Sequence, residues 1–238
     1  MLTELNFLLA EIYFDMKDYN NAATEYEKVA YQYPSSTFSG EAGYGALLAL
    51  EKLAKPAGSI RADNSYTLRL VEGCKDFART FPKDRRVPEV LMNGADILSQ
   101  LGKFEEGRSM AHLVIGNSLS TEREKYIAQR LIAESFLKEQ SYKKSEEEIR
   151  KAIALIPESD KKDLPLLERA LGASLYKQAE DLKSQGKTLA AAEAFEKVYH
   201  AVPNSDITPV AMYDAGILFE QNKEWDKAIK TYATLFQR

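Results

Sequence analysis

Small and apolar residues recur along this chain at intervals of three and four, which places them on one face of a helix. Six positions anchor the pattern: Ala22, Leu70, Gly107, Ser145, Ala191 and Ala228, separated by 48, 37, 38, 46 and 37 residues. Three positions before each anchor stands Tyr19, Thr67, Phe104, Tyr142, Thr188 or Trp225, predicted to open a helix. Four positions after come Tyr26, Cys74, Ala111, Ile149, Phe195 and Tyr232, on the same face. In five copies an earlier helix carries a small residue followed three positions later by a large one: Ala10/Tyr13, Ala95/Leu98, Ala133/Phe136, Ala179/Leu182 and Gly216/Phe219. Small positions let two helices approach closely, and the neighbouring large side chains fill the remaining space.

Prolines mark where the copies end. Pro34, Pro82, Pro157 and Pro203 each follow an anchor by twelve residues, and Leu119 takes that place once. The same offset from Ala228 falls at position 240, beyond Arg238, so the sixth copy is expected to stop short of its terminator. The segments FPKDRRVP and VPNSDITP place Pro88 and Pro209 six residues after the preceding proline, suited to the first turn of a helix, where no N–H partner is lost. Two copies are longer than the rest. LAKPAGSIRADNS is expected between the helices of copy two, and KKDLPLLERALGASLYKQAEDLKSQG implies a longer first helix in copy five.

The pattern resembles the tetratricopeptide repeat, W-x2-L-G-x2-Y, then A-x3-F, then P. The first copy carries it in Leu9, Ala10, Tyr13, Tyr19, Ala22, Tyr26 and Pro34. The resemblance implies an all-α fold: a right-handed α-solenoid of about six stacked helix-turn-helix hairpins. The repeats are expected at 3–36, 37–85, 88–121, 126–159, 160–205 and 209–238, the last truncated, in one solenoid spanning 1–238. No hairpin can bury its apolar face alone, so neighbours must stack, and stacking leaves a concave surface. YQYPSSTFSGEAGYGALLALE and VPNSDITPVAMYDAGILFE are also similar to the subclass found in bacterial cell-envelope proteins, the outer-membrane assembly lipoproteins and the Tol–Pal coordinators. That likeness favours a periplasmic or outer-membrane-associated setting, with the cytoplasm left open. No lipobox cysteine stands near Met1.

Composition narrows the function classes. At 238 residues, 45% apolar and 29% charged, the chain can bury a substantial core. A net charge of −4 argues against duplex nucleic acid, whose phosphates require a cationic surface. The charge is uneven: residues 1–50 carry 2 basic and 7 acidic side chains, whereas 51–86 carry 9 basic and 5 acidic. Cys74 is the single cysteine, so no intrachain disulfide forms, and its place on the apolar face marks it as a buried thiol. The opening MLTELNFLLAEIYFDMKDY lacks a basic leader and is interrupted by Glu11 and Asp15, and it reads as a folded helix. No segment has the apolar length of a membrane span.

No constellation suits catalysis or a cofactor. His112 and His200 fall in second helices of copies separated by another copy and read as surface or interhelix residues. In KKSEEEIRK, Glu146, Glu147 and Glu148 point in three directions, and Lys143/Glu147 and Glu147/Lys151 are spaced for pairing on a solvated helix. GKFEEG lies in an interhelix turn and lacks the phosphate-loop arrangement.

The expected function is therefore noncatalytic, a scaffold that holds a protein or peptide. In peptide-binding members of the resembled family, first helices line the groove. Carried onto these copies, their positions are Phe7, Glu11 and Asp15, then Met92 and Asp96, then Arg130 and Glu134, Tyr176 and Glu180, and Tyr213. The family's Lys/Asn/Arg clamp for a terminal carboxylate is not recognisable, because Phe7 and Glu11 stand in its place. A basic or amphipathic segment fits this surface better, since opposite charge aids encounter and aromatic anchors supply affinity. Arg79, Lys83, Arg85 and Arg86 form a second candidate, a cationic turn for an anion or acidic partner. The loop between the helices of copy two is a third. Association of copies through the solenoid ends is left open. So are a recruiting arm of a larger enzyme and a cytoplasmic adaptor.

Overall fold

The computed structural model describes residues 2–54 and 65–237. The loop of copy two lies outside the described residues. Among them are twelve α-helices: α1 (Leu2–Asp15), α2 (Tyr19–Glu27), α3 (Ser39–Ala54), α4 (Ser65–Thr80), α5 (Val87–Gln100), α6 (Phe104–Gly116), α7 (Glu122–Lys138), α8 (Tyr142–Leu155), α9 (Leu164–Ser184), α10 (Thr188–Ala201), α11 (Thr208–Gln221) and α12 (Trp225–Phe236). No strand occurs among the described residues. The chain folds as two compact units, residues 1–124 and 125–238. In the first, each helix from α1 to α6 packs on the next. In the second, α8 to α12 do the same, and α7 is tied to α8 by the Ser145 hydroxyl donating to the Ala133 carbonyl at 3.2 Å.

Five of the six expected second-helix starts fall where the aromatic and threonine positions place them, at Tyr19, Phe104, Tyr142, Thr188 and Trp225. The exception is α4, which begins at Ser65, two residues before Thr67. The anchors Ala22, Leu70, Ser145 and Ala191 are fully buried, as are Ala10, Ala95 and Ala179 on the first helices. Gly216 needs its missing side chain: a Cβ there would collide with the Tyr232 ring. Cys74 is completely buried. The long insertion of copy five appears partly as extra helix, since α9 runs 21 residues, preceded by a 3-10 turn at Glu158–Asp163.

One turn geometry sets five of the hairpins. Two residues before α2, α6, α8, α10 and α12 stand Lys17, Gly102, Gln140, Gly186 and Lys223, with φ of 62°, 73°, 59°, 74° and 61°. The next residue in each case donates its N–H to the carbonyl five positions earlier: Asp18 to Tyr13, Lys103 to Leu98, Ser141 to Phe136, Lys187 to Leu182, and Glu224 to Phe219, at 2.8–3.0 Å. This closure satisfies carbonyls that the ending helix leaves open, and it requires a left-handed residue. The turns between hairpins reuse a different device. Ser120 donates to the Val114 carbonyl and Thr208 to the Val202 carbonyl, both at 2.7 Å and both buried. Thr121 and Glu124 add a capping box at the start of α7.

Three residues past the anchor, Glu25 accepts from Asn6 of α1, and Glu148 accepts from Gln129 of α7. The equivalent in α12 is Thr231, opposite Met212, and its buried hydroxyl finds no hydrogen-bond partner among the described residues. Thr231→Val is therefore expected to preserve or raise stability, by up to about 1 kcal/mol, because it removes an unsatisfied group. A clear fall in Tm would show that the hydroxyl is satisfied in solution. Gly186→Ala is expected to cost about 1 kcal/mol through backbone conformation alone, since open space surrounds the glycine. Gln140→Gly should move stability the other way. Identical denaturation midpoints for wild type and Gly186→Ala would refute this account of the turn.

Candidate functional site

In the first unit, residues of α3 and α5, with Cys74 of α4 between them, line a recess of about 410 Å³. Its floor is apolar, formed by Leu47, Cys74 and Val90. Tyr44, Leu48 and Glu51 rise on the α3 side, and Glu89, Met92 and Asp96 on the α5 side. Tyr44, Leu48 and Glu51 are spaced by four and three residues, beside the buried stripe of Gly43, Ala46, Leu47 and Leu50. Two glycines bring the walls close to their supports. A Cβ on Gly94 would strike the Met110 methyl and come within 3.2 Å of the Cys74 Cβ. One on Gly45 would meet the Tyr26 ring at 2.9 Å. Tyr44 is held by the Arg86 guanidinium, 4.7 Å above its ring. Burial raises the Tyr44 hydroxyl pKa, the Glu89 carboxylate adds to the rise, and the Arg86 charge opposes it.

The expected groove residues divide by role. Met92 and Asp96 line this recess, and Asp96 is exposed. Phe7, Glu11 and Asp15 lie on α1, outside the recess. Phe7 is half-buried against the rings of Tyr26 and Phe38, 5.8 Å and 5.2 Å away, which makes it a packing residue of the first hairpin. The Glu11 carboxylate accepts a hydrogen bond from the Tyr26 hydroxyl, while Asp15 is exposed. In the second unit Arg130 pairs with Asp163 at 3.1 Å and with Glu134 at 3.4 Å. The Tyr176 hydroxyl donates to Asp214 at 2.6 Å across α9 and α11, with its ring 4.9 Å from Phe195. Burial and that hydrogen bond push the Tyr176 hydroxyl well above the usual tyrosine range. Glu180 pairs with Lys177 at 2.5 Å. Tyr213 is 55% exposed, the most open aromatic of the set.

Tyr44, Leu48, Glu51 and Glu89 were not expected from the sequence. Copy two supplied no small-then-large pair to fix the register of its first helix, so α3 contributed no position to the groove. The 44/48/51 spacing, read against the buried stripe, was the available signal.

The cationic turn is largely internal structure. Arg86 bonds Asp84 at 2.7 Å and Glu41 at 2.8 Å, and it lies over the rings of both Tyr44 and Phe77. Arg79 pairs with Asp76 at 2.7 Å. Lys83 and Arg85 are exposed. The histidines are exposed, and no group of three metal-capable side chains occurs among the described residues. In the α8 run, Arg150 pairs with Glu146 and Lys151 with Glu148, one position from the expected partner, because Glu148 is drawn inward by Gln129. No described helix is long and apolar enough to cross a membrane.

The hydrogen bond from Arg86 holds the Asp84 carboxyl below its ordinary pKa of 3.8, against the opposing effect of burial. The depressed pKa means that its stabilisation is present above the ordinary value and is lost as pH falls through the lower folded one. Arg86→Ala is expected to cost about 1.5–3 kcal/mol by stripping charged hydrogen bonds from Asp84 and Glu41. Arg85→Ala should stay within about 0.5 kcal/mol. Equal losses in urea denaturation would contradict a structural role confined to Arg86.

Residues 4–36 match one tetratricopeptide-repeat family model, and residues 176–236 match another. No curated protein matches the chain. Among solved structures, one similar chain is the MamA RS-1 ArsTM double mutant, 16% identical with a TM-score of 0.47, the match covering 86% of this chain and 96% of that one. Pseudomonas aeruginosa PilF is 13% identical with a TM-score of 0.42, covering 99% and 90%. PilW, described as a widely conserved type IV pilus biogenesis factor, is 14% identical with a TM-score of 0.41, covering 99% and 92%. The chain thus matches tetratricopeptide-repeat models at residues 4–36, in the first compact unit, and at residues 176–236, in the second, within an all-helical fold of repeated hairpins.

Proposed function

We propose that this protein is a noncatalytic scaffold that holds an extended or helical segment of another protein on the face formed by its first helices. The recess between α3 and α5 carries the reading. It joins an apolar floor to a rim with Glu51, Glu89 and Asp96, the chemistry that suits an apolar side chain flanked by lysine or arginine. Tetratricopeptide repeats generally serve protein–protein interaction, and the helices that position this rim are rigid, so little order need be gained by the receptor. In the second unit Tyr176 and Tyr213 with Glu180 are proposed as a further contact surface of the same kind. Bacterial envelope assembly or secretion is the proposed setting, supported by the YPSS turn and the alanine- and tyrosine-rich helix that follows it.

Panning a random peptide library against the wild type, with Glu51→Lys plus Asp96→Lys as the counter-selected variant, tests the recess. The expected consensus has Lys or Arg beside Leu, Met or Phe. Its affinity should fall at least tenfold in the double variant and weaken with salt. Peptides that bind wild type and variant equally, or an acidic consensus, would overturn the assignment.

A further inference from the structure

A second hollow of the first unit, about 310 Å³ in volume, shares no lining residue with the recess. Val87 and Leu91 of α5, each 2% exposed, form its floor. Lys75 and Arg79 stand on the α4 side, Leu113 on the α6 side, and Asn117 just past the end of α6. Among the described residues, none that lines this cleft is acidic.

Leu113 is the informative member. It is 58% exposed. Six positions past the anchor, where this copy has Leu113, the other five carry Lys28, Asp76, Lys151, Lys197 and Thr234. Hairpin packing therefore makes no demand for an apolar side chain here, and a leucine left open forgoes the free energy that burial would supply. One exposed leucine is ordinary on a protein surface. What sets Leu113 apart is that it stands beside an apolar floor and departs from the polar choice of every other copy.

Charge decides what the cleft can hold. Lys75 pairs with Glu72 at 2.8 Å and with Glu106 at 3.9 Å, and Arg79 with Asp76 at 2.7 Å. Exposed pairs of this kind contribute little, so a ligand carboxylate can displace them. The Asn117 side-chain oxygen accepts from the Leu119 N–H at 2.8 Å, so Asn117 offers its amide hydrogens to a ligand. Cations and a donor suit an anionic, acceptor-rich occupant, the reverse of the chemistry set by Glu51, Glu89 and Asp96 around the recess. We infer that this cleft is a second interaction surface, which takes an acidic segment of another protein. A leucine, methionine or phenylalanine of that segment seats against Leu113, Val87 and Leu91, and its flanking Asp or Glu residues meet Lys75 and Arg79.

The test selects peptides from a random library on the wild type and then depletes those that still bind Leu113→Gln. Glutamine is neutral and helix-compatible, and an unchanged Tm confirms that the variant folds. The expected survivors carry Asp or Glu around Leu, Met or Phe. Their affinity should fall about tenfold or more in Leu113→Gln and about fivefold in Lys75→Gln with Arg79→Gln. It should not weaken in Glu51→Lys with Asp96→Lys. Survivors that do lose binding in that last variant belong to the recess, which overturns the second surface and leaves the first standing. An empty selection or a basic consensus would also overturn the inference. So would a clear fall in Tm for Leu113→Gln, which would show that the leucine serves the fold.

Discussion

Everything in this molecule depends on helices approaching closely at small residues. Ala10, Ala22, Ala95, Ala179 and Ala191 are fully buried, and at Gly216 even a methyl group has no room beside Tyr232. Where the backbones come this near, the neighbouring large residues, such as Tyr26, Phe195 and Phe219, reach across to fill the space between helix axes. The left-handed turn then fixes the direction of return. Its five-residue closure occurs with glycine twice and with lysine or glutamine three times, so the geometry is maintained even where the side chain makes it costly. Hairpin packing and turn closure together decide which side chains are left facing outward.

That division explains what was legible in the sequence. The anchors and the aromatic positions before them are constrained by packing, which the sequence records as recurring spacing, and five of six helix starts fall where the spacing places them. Contacts made once leave no such record. The Tyr26 hydroxyl reaches Glu11, Tyr176 reaches Asp214, and Phe7 is enclosed by Tyr26 and Phe38, so three groove candidates turn out to be engaged in holding the hairpins together. Polar side chains reach several ångströms along a helix, and spacing alone does not say which neighbour they choose. Arg86 is the clearest case. In sequence it belongs to a run of cations, whereas in the fold Asp84 and Glu41 neutralise it and two aromatic rings support it.

The recess was missed for a related reason. Its α3 wall belongs to the copy whose first helix lacks the small-then-large pair, so no register was available for Tyr44, Leu48 and Glu51. The structure supplies that register through burial: Gly43, Ala46, Leu47 and Leu50 face inward, and the remaining side of α3 faces Met92 and Asp96. Gly45 and Gly94 contribute by removing side chains that would push α3 off Tyr26 and α5 off α4. Shape in this recess is thus set by stacking, and charge by residues that stacking does not use.

The same separation bears on how a partner can be matched without disturbing the hairpins. Buried positions such as Ala22 and Ala191 answer to a neighbouring helix and are fixed by it, whereas the carboxylates of Glu51, Glu89 and Asp96 stand on the rim of the recess. A charge reversed on the rim alters what the recess accepts and leaves the hairpin packing as it was. A charge placed at Ala22 or Ala191 breaks the hairpin instead, because it lies where only the face of another helix fits.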